Sequence, residues 1–463
     1  MASGRTTSGY VDDVPYIRAF IPELSPAWLD FAPLLWGFAP VDRSGAFAWC
    51  DLGCGMGVNT ALFAATHPDG QFHGVDFMPE HVAHGRGLAR AVGAANATFH
   101  AADFGAAADL DLPGFDYITA HGIYSWVDDQ ARRDLRRFVD RHLKPGGRLY
   151  VSYNALPGRG LDAPFQQLIW ALGKGGEGDS TERVRNAGRV AAKLLSMKAP
   201  TMTASPMARV LLARGATPNP HYLAHELMGT NWRPLSVLQV RADMAEIGLE
   251  PAGSASLIEN FDDYVLGKSA RKLLATITDP DLHELVRDYL VNQSFRRDVY
   301  IRPGAQLSDA DQRDALMATT FALTAPTSRT KFKVQTPAGD MSFGNPTSRR
   351  MVRALAAGPR RLADLAGEGA DAGDALSNAM ILAGAGAIRP VTEPVAGAAA
   401  RFNRTVFDRL GGPEELSLLA VDGGTALAIP PSLLADLKAL GASEPAGMSD
   451  LRRHLVAYGA LAA

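Results

Sequence analysis

Short apolar runs alternate with amphipathic stretches over residues 46–155 of the chain. Apolar runs of about four to eight residues bounded by turn residues are typical of buried strands, whereas apolar positions three and four apart are typical of helices. The pattern predicts helices at Asn59–Thr66, Glu80–Val92 and Asp128–Leu143, and five strands, at Phe47–Leu52, Gln71–Asp76, Ala97–Ala101, Phe115–Ala120 and Arg148–Tyr153. This regular alternation favours an α/β fold, a doubly wound Rossmann-like parallel sheet with helices on both faces.

The alternation stops near residue 157, and the pattern then changes twice more. Residues 158–325 are mainly helical by their spacing, whereas residues 326–463 mix helices and strands. In the last part, two short helices, a longer helix at Asp374–Ala383 and a strand follow one another, which is the order of a winged helix-turn-helix. We predict three domains: residues 1–157 with an N-terminal lid, a helical middle domain at 158–325, and an α+β C-terminal domain at 326–463 with a winged-helix-like segment.

A glycine-rich turn, Asp51-Leu-Gly-Cys-Gly-Met-Gly57, joins the first predicted strand to its helix. Glycine here serves either a tight turn alone or the close approach of the backbone to a ligand. A dinucleotide site has the pattern G-x-G-x-x-G with pyrophosphate at the helix N-terminus, but here the third glycine comes one residue early. An acid directly before the turn is poorly placed for pyrophosphate and suits a ligand with a cationic end.

Two further acids stand at the ends of the next two predicted strands. Asp76 ends the second strand, where a carboxylate can accept hydrogen bonds from two ribose hydroxyls. Asp103 ends the third strand, where it can accept from an adenine amino group while Phe104 covers the purine face. Taken alone, each acid is as consistent with a solvent-exposed strand end as with a ligand-binding residue. Three acids at successive strand ends indicate a ligand site at the carboxyl edge of the sheet.

These stretches resemble the class I S-adenosylmethionine-dependent methyltransferases. The resemblance covers about residues 45–155 and rests on four stretches: Asp51 to Gly57, Gly74-Val-Asp76, Ala102-Asp-Phe104 and Leu143-Lys-Pro-Gly-Gly-Arg-Leu149. It implies a seven-stranded doubly wound sheet, of which five strands can be placed, and S-adenosylmethionine as the cofactor. The cofactor-binding residues implied or proposed are Asp51, Gly53, Gly55, Gly57, Asp76, Phe77, Asp103, Phe104, His121, Tyr10 and Tyr16.

A narrower resemblance extends over about residues 10–300. It rests on Tyr10-x-x-Asp-Val-Pro-Tyr16, His121-Gly-Ile-Tyr-Ser-Trp126, Ser152-Tyr-Asn-Ala-Leu-Pro-Gly158, Tyr222-Leu-Ala-His-Glu226, Asn231-Trp-Arg-Pro-Leu235 and Phe295-Arg-Arg-Asp-Val299. These blocks are similar to those of bacterial methyltransferases with a methyltransferase regulatory domain. They also occur in the rickettsial protein-lysine methyltransferases that act on an outer-membrane surface protein. These blocks are specific for the subfamily. They are less specific for its substrate, although they imply a protein substrate.

Candidate reacting residues follow the fourth and fifth predicted strands. Tyr124 and Trp126 are predicted to wall the channel for the methyl acceptor, although a packed aromatic loop is the alternative. His121 and Asn154 are further candidates, with structural roles equally open. Tyr10 and Tyr16 either cover the cofactor as a lid or anchor the N-terminal segment. Methyl transfer mainly requires positioning of a deprotonated nucleophile, so we expect few acid–base groups.

Two other motifs could indicate a metal site and a nucleic-acid-binding segment, but the sequence favours neither interpretation. His221 and His225 share a helix face, but no third ligand stands out, and a buried pair of His225 with Glu226 is favoured over a metal site. The third helix of the winged-helix-like segment carries no Lys or Arg and a single amide, Asn378, whereas base readout normally uses basic or amide side chains. We expect contacts with protein rather than with nucleic acid there.

Composition limits the classes of partner and the cellular location that we expect for the protein. The 463 residues carry a formal net charge of −3 and two cysteines, which argues against bulk electrostatic binding to nucleic acid and against a disulfide framework. Neither an apolar signal core at the N-terminus nor an 18-residue apolar run is present, so we expect a cytoplasmic protein without a membrane span. We predict a metal-independent methyltransferase acting on protein lysine. A small-molecule or glycan-precursor methyltransferase, a non-catalytic cofactor-sensing regulator and a homodimeric assembly are left open.

Overall fold

The computed structural model of the chain describes residues 9–212, 219–337, 339–367, 371–439 and 448–461. The first residues of this range are irregular and lead through a 3₁₀ turn at Pro22–Leu24 into helix α1 (Pro26–Leu34). Ser25 caps α1, because its hydroxyl accepts a hydrogen bond of 3.3 Å from the N–H of Trp28. Residues 1–8, on which the expectation about export rests, lie outside the described residues.

A seven-stranded sheet forms the centre of the molecule, in the order β3-β2-β1-β4-β5-β7-β6. Strands β1 to β5 run parallel, whereas β7 is antiparallel to both of its neighbours. The predicted α/β class and the seven strands implied by the resemblance are confirmed. The strands are β1 (Ala48–Leu52), β2 (Gln71–Asp76), β3 (Ala97–Ala101), β4 (Phe115–Ala120), β5 (Leu143–Asn154), β6 (Glu250–Ser254) and β7 (Phe295–Ile301).

The stretch Lys144–Gly147 is a bulge inside β5. Leu143 pairs with Phe115, and the next pair joins Arg148 to Tyr117. The extra residues on β5 have no partners on β4 and must therefore leave the plane of the ladder. Strand β5 consequently begins five residues earlier than the predicted strand, which started at Arg148.

Four helices connect the parallel strands and cover both faces of the sheet: α2 (Val58–Thr66), α3 (Pro79–Val92), α4 (Phe104–Ala108) and α5 (Asp129–His142). Two separate apolar cores result, one on each face. Carboxylates cap α4 and α5, because Asp103 and Asp128 accept hydrogen bonds from backbone N–H groups of their first turns.

The middle part of the chain is largely helical. Its helices are α6 (Ala163–Gly173), α7 (Ser180–Ser196), α8 (Pro200–Ala204), α9 (Pro206–Leu211), α10 (Pro220–Leu227), α11 (Val237–Ala245), α12 (Asp262–Val265), α13 (Lys268–Leu274) and α14 (Pro280–Val291). Helices α6, α7, α9 and α10 share a core with Val11 and Val14 of the N-terminal segment. The helical description of residues 158–325 is incomplete, since this range also supplies β6 and β7 to the main sheet.

The C-terminal part mixes short helices with small sheets. Its elements are α15 (Asp309–Ala318), β8 (Thr320–Leu323), β9 (Lys333–Thr336), β10 (Gly339–Ser342), α16 (Pro346–Leu355), β11 (Arg360–Arg361), α17 (Leu362–Ala366), α18 (Ala372–Gly384), β12 (Ile388–Val391), α19 (Ala398–Asp408), β13 (Leu418–Val421), β14 (Thr425–Ala428), α20 (Pro431–Ala439) and α21 (Met448–Ala457). The order α16, α17, α18, β12 is the winged-helix-like order predicted from the sequence. This part shares an apolar core with the main sheet, and α19 packs on α2 and α3.

Helix α18 occupies the position of a recognition helix but makes intramolecular contacts. Asn378 is buried, its carbonyl accepts from Ser348 at 2.7 Å, and its amide donates to the Asp374 backbone at 2.8 Å. A Cβ on Gly384 would lie 2.2 Å from Ile258, so the end of α18 packs closely on a 3₁₀ turn at Leu257–Asn260.

Within the described ranges, none of the helices combines the length and the apolar character that crossing a bilayer requires.

Candidate functional site

The carboxyl ends of β1 to β5 meet at one edge of the sheet, and the site is built there. Asp51 on β1 is buried beneath the glycine turn, and its Oδ1 accepts a hydrogen bond of 2.8 Å from the Thr119 hydroxyl. Burial raises the pKa of Asp51 to about 7, and nearby Asp76 adds to the increase. The hydrogen bond from Thr119 lowers this pKa and so opposes the effect of burial. A cationic group placed beside Asp51 would compensate this cost and keep the carboxylate ionised.

The glycine turn has positive φ angles of 76° at Gly53, 52° at Gly55 and 72° at Gly57. Gly53 and Gly55 line the cavities described below. Gly57 has a different role, since a Cβ there would lie 2.6 Å from Cε1 of Phe99 and 2.9 Å from Cα of Gly85. Gly57 therefore permits α2 and α3 to pack closely on the sheet, and its contact with the cofactor stays a prediction.

Asp76 at the end of β2 fixes the turn after β1. Its Oδ2 accepts from the N–H of Gly55 at 2.9 Å, and its Oδ1 accepts from the N–H of Met78 at 2.9 Å. Nδ1 of buried His81 lies 3.2 Å from the same Oδ1. An ionised carboxylate has about four acceptor sites, so Asp76 retains capacity for a ligand hydroxyl.

Two adjoining cavities lie at this edge of the sheet. The β2 cavity, of about 470 Å³, is lined by Asp76, Phe77, Asp103 and Phe104 among others. The α10 cavity, of about 410 Å³, extends from Asp51 towards helix α10. Both volumes lie in the range of small-ligand sites. The wall shared by the two cavities consists of Tyr10, Tyr16, Gly53, Gly55, His121, Gly122 and Trp126.

The β2 cavity combines strand-end carboxylates with aromatic rings. Asp103 is exposed, and its Oδ1 accepts from the N–H of Ala106 at 2.7 Å, which leaves the other oxygen directed outside the helix cap. Phe77 and Phe104 are half-buried beside it. Carboxylate acceptors flanked by apolar rings suit a nucleoside, whose hydroxyls and base face match these two kinds of side chain.

The N-terminal segment crosses both cavities. The backbone N–H of Tyr16 donates to Nε2 of His81 at 3.3 Å, and the Tyr16 ring packs edge-on against His225 with centroids 5.0 Å apart. Tyr10 packs at 5.8 Å from Phe77 and at 5.4 Å from His225. The two tyrosines therefore both line the site and anchor the segment, so the two predicted roles coexist in the geometry.

His121 and Trp126 follow β4 and separate the two cavities. Nδ1 of His121 lies 3.0 Å from the hydroxyl of Tyr150 and 3.1 Å from that of Ser152. Burial, with a smaller contribution from Arg297, lowers the pKa of His121 to about 3, so the ring is neutral. The Trp126 ring packs against Trp232 with centroids 6.0 Å apart, and Trp126 lines both cavities; its role towards the acceptor stays a prediction.

Tyr124 does not occupy the predicted position in the channel. Its side chain is fully buried, its hydroxyl donates to Asp243 at 2.7 Å, and Arg136 donates to that hydroxyl at 3.0 Å. It is absent from the lining of both cavities in the described part of the chain. The physical reason is the backbone at Gly122, whose φ of 65° redirects the loop so that Tyr124 faces α5 and α11.

Asn154 lies at the end of β5 and lines the α10 cavity. Its backbone N–H donates to the Ser125 hydroxyl at 2.9 Å, and its carbonyl accepts from the N–H of Leu235 at 2.9 Å. The backbone of Asn154 thus holds two loops while the residue borders the cavity, and its role towards an acceptor stays a prediction.

Helix α10 contributes residues that sequence reasoning did not place in the site. Tyr222, His225 and Glu226 line the α10 cavity together with Arg159. Tyr222 and Glu226 are four residues apart, and this spacing on one helix face is the signal that could have identified them. Nε2 of His225 lies 3.1 Å from the Val14 carbonyl, and the described residues contain no group of three metal-ligating side chains.

A third cavity, of about 300 Å³, adjoins the α10 cavity. The two share Glu23 and Arg297, whose side chains approach to 3.8 Å. Its other lining residues include Pro22 and Trp28 near the start of the described chain, residues 255–259, and residues of the C-terminal part such as Gln335 and Arg389. We call it the C-terminal cavity. The α10 cavity therefore adjoins the β2 cavity on one side and the C-terminal cavity on the other.

Comparisons with known proteins support this geometry. Residues 50–149 match the family model "Methyltransferase domain", and residues 219–302 match "Predicted methyltransferase regulatory domain". A protein of Synechocystis sp., described as uncharacterized, is 34% identical over 357 residues, which are 77% of this chain and 71% of that protein. An uncharacterized protein of Rickettsia prowazekii is 31% identical over 160 residues, which are 34% of this chain and 62% of that protein.

A solved structure has the same overall fold. The structure of PKMT2 from Rickettsia typhi in complex with AdoHcy superimposes with a TM-score of 0.69 and 19% identity, covering 97% of this chain and 93% of that chain. The middle and C-terminal parts are therefore included in the likeness along with the sheet.

Proposed function

Because this chain belongs to the S-adenosylmethionine-dependent methyltransferases that carry a methyltransferase regulatory domain, we propose that its methyl acceptor is the side-chain amine of a protein lysine. When bound, S-adenosylmethionine supplies a methyl group already activated by the sulfonium. The remaining work of the protein is to hold the donor, admit the acceptor amine and favour its neutral form.

The residues at the edge of the sheet fit this cofactor. Asp51 is a buried carboxylate whose pKa is raised to about 7 by burial. A cationic group of the ligand, such as an amino acid ammonium, would stabilise its ionised form. Asp76 can accept from ribose hydroxyls, while Asp103 and Phe104 can hold the adenine. The AdoHcy complex of PKMT2, which has the same fold, supports this assignment.

One observation carries the proposal of a protein acceptor: the α10 cavity borders the cofactor site on one side and the C-terminal cavity on the other. An extended polypeptide can place one side chain in the α10 cavity while its neighbours lie along the surfaces beyond Glu23 and Arg297. A small acceptor would instead be favoured by a single closed pocket.

The wall of the α10 cavity suits an amine. Trp126, Tyr16 and Phe295 present aromatic rings to it. Aromatic faces attract an approaching ammonium, and desolvation then lowers its pKa towards the neutral form that can accept a methyl group.

The proposal is tested by methyl transfer from tritium-labelled S-adenosylmethionine to a desalted protein extract of the source organism. We expect acid-precipitable label with the wild-type protein and none above background with Asp51→Asn, which leaves the acceptor cavity largely intact. Amino acid hydrolysis should then recover the label as methyllysine. Label confined to the small-molecule fraction after addition of an undesalted extract would reject a protein acceptor.

A further inference from the structure

We propose that Glu226 is the proton acceptor of the methyl-transfer site: its carboxylate binds the acceptor ammonium and takes its proton. This inference rests on the proposed function, because it concerns an amine acceptor in the α10 cavity. The proton moves from the lysine nitrogen to a Glu226 oxygen, which converts an ammonium and a carboxylate into a neutral amine and a neutral acid. The proton leaves to solvent once the methylated product departs.

The position of Glu226 supports this role. It lies in the last turn of α10 and lines the cavity that shares Gly53, His121 and Trp126 with the β2 cavity. A side chain that enters this cavity from the direction of the C-terminal cavity meets Glu226 and the cofactor-facing wall in the same space. The family model for the regulatory domain, residues 219–302, includes Glu226. That domain would thus complete the active site.

The electrostatics of the cavity favour proton transfer to Glu226. Burial raises the pKa of Glu226 to about 7, although Arg159 and a hydrogen bond with Tyr222 oppose the increase. A general base works best when its pKa lies near the working pH. Transfer of a proton from ammonium to carboxylate removes both charges, and a desolvated cavity favours the neutral pair.

The other titratable groups around the cavity are less suitable. Burial lowers the pKa of His121 to about 3 and that of His225 to about 4, so both are poor proton acceptors. Asp51 is buried beneath the glycine turn and bonded to Thr119. Glu23 lies at the far boundary near Arg297. The groups that interact electrostatically with Glu226 are Tyr222 of α10, Tyr10 and Tyr16 of the N-terminal segment, and Arg159 after β5.

The test uses n-butylamine, the side-chain analogue of lysine, and the full chain saturated with S-adenosylhomocysteine. Binding is measured by calorimetry at pH 7 for the wild type, Glu226→Gln and Glu182→Gln, an exposed glutamate of α7 that serves as the matched control. We expect Glu226→Gln to weaken n-butylamine binding by about 10-fold or more. The control should bind as the wild type does, and affinity for S-adenosylhomocysteine should change by less than about 3-fold in both variants.

A second readout is the pH dependence of turnover on the labelled protein acceptor. The wild type should gain activity as the pH rises towards 7, since Glu226 must be ionised to accept a proton. Glu226→Gln should lose this rise together with most of its turnover, and Glu226→Asp should restore part of both.

Three results would overturn the assignment: no detectable binding of n-butylamine to the wild type, equal binding by the wild type and Glu226→Gln, or a parallel loss of S-adenosylhomocysteine affinity, which would make Glu226 a cofactor ligand. The binding test does not depend on the identity of the methyl acceptor. If n-butylamine binding requires Glu226 while label enters small molecules alone, the site stands as an amine site and the protein acceptor is rejected.

Discussion

The backbone N–H of Gly55 donates a hydrogen bond of 2.9 Å to Oδ2 of Asp76, so the end of β2 holds the glycine turn that follows β1. The same carboxylate is the one that we propose for the ribose hydroxyls of the cofactor. Cofactor binding and the conformation of the turn are therefore coupled through a single side chain.

Asp76→Ala should weaken binding of S-adenosylhomocysteine by roughly 1–3 kcal/mol, because it removes charge-assisted hydrogen bonds to the ligand and the support of Gly55. Calorimetric titration measures the change, with Asp69→Ala, an exposed acid before β2, as the control. For the wild type, S-adenosylhomocysteine should raise the melting temperature and NAD should not. Stabilisation by NAD with indifference to S-adenosylhomocysteine would contradict the cofactor assignment.

Substitutions at Tyr124 and Trp126 should distinguish an effect on stability from an effect on catalysis. Tyr124→Phe leaves Asp243 and Arg136 without their shared hydroxyl, so we expect a loss of about 1–3 kcal/mol in unfolding free energy with turnover nearly unchanged. Trp126→Ala removes a wall of both cavities and should lower turnover by about 10²-fold through lost positioning, with a smaller effect on stability than on rate. Denaturant titration and label transfer on both variants measure the two effects. A large loss of turnover in Tyr124→Phe at full cofactor occupancy would restore the original assignment.

The buried ion network around Arg296 should be required for stability. Arg296 donates to Asp288 at 2.5 Å, to Glu284 at 2.8 Å and to Asp298 at 3.0 Å, and Asp298 also accepts from Tyr153 at 2.7 Å. Arg296→Met should cost roughly 3–5 kcal/mol, because it leaves several buried carboxylates without their cation. Denaturant titration of this variant and of Arg133→Met, an exposed arginine of α5, provides the comparison. Equal midpoints for the two variants would show that the network contributes little.

Acid should weaken the contact between the methyltransferase domain and the C-terminal part. Nδ1 of His67 lies 2.9 Å from the Phe63 carbonyl, and its Nε2 lies 3.1 Å from the Thr392 hydroxyl. Burial lowers the pKa of His67 to about 4, from the ordinary histidine pKa of 6.5. Below pH 6.5 the unfolded chain binds a proton that the folded chain excludes, so stability falls as the pH decreases towards 4.

For His67 alone this loss approaches about 3 kcal/mol. Melting temperatures measured between pH 7 and pH 4 should therefore decline less steeply for His67→Gln than for the wild type. His283→Gln on α14 is the control and should keep the wild-type slope. Identical slopes for all three proteins would show that His67 does not contribute to acid sensitivity.

The sequence pattern predicted the first five strands because short apolar runs alternate with amphipathic stretches there, whereas β6 and β7 lack this signal. Strand β6 is Glu250-Pro-Ala-Gly-Ser254, and β7 carries Arg296, Arg297 and Asp298. Arg296 and Asp298 enter the sheet because a buried network compensates their charges, with Glu284 and Asp288 contributed by the preceding helix α14. Pattern reasoning treats such residues as exposed, so it placed only five strands.

Some residues of the candidate site could likewise be placed from the sequence, whereas others could not. Asp51, Asp76 and Asp103 could be placed from the sequence because parallel strands fix where their carboxyl ends lie. Side-chain direction within the loop after β4 could not, since the positive φ of Gly122 decides that Trp126 rather than Tyr124 borders the cavities. Glu226 comes from a helix about 100 residues further along the chain, and only the packing of α10 against the N-terminal segment brings it to the site.

The central claim is that this methyltransferase modifies lysine in protein, and transfer of a deuterated methyl group measures it most directly. The wild-type protein and Trp126→Ala are each incubated with S-adenosylmethionine carrying a trideuterated methyl group and with desalted protein extract, and tryptic peptides are sequenced by tandem mass spectrometry. We predict trideuterated methyl groups on the side-chain nitrogen of lysine in a small set of proteins, with strongly reduced occupancy in Trp126→Ala. Deuterated methyl groups found on other side chains, or in small molecules alone when the extract is not desalted, would contradict the account.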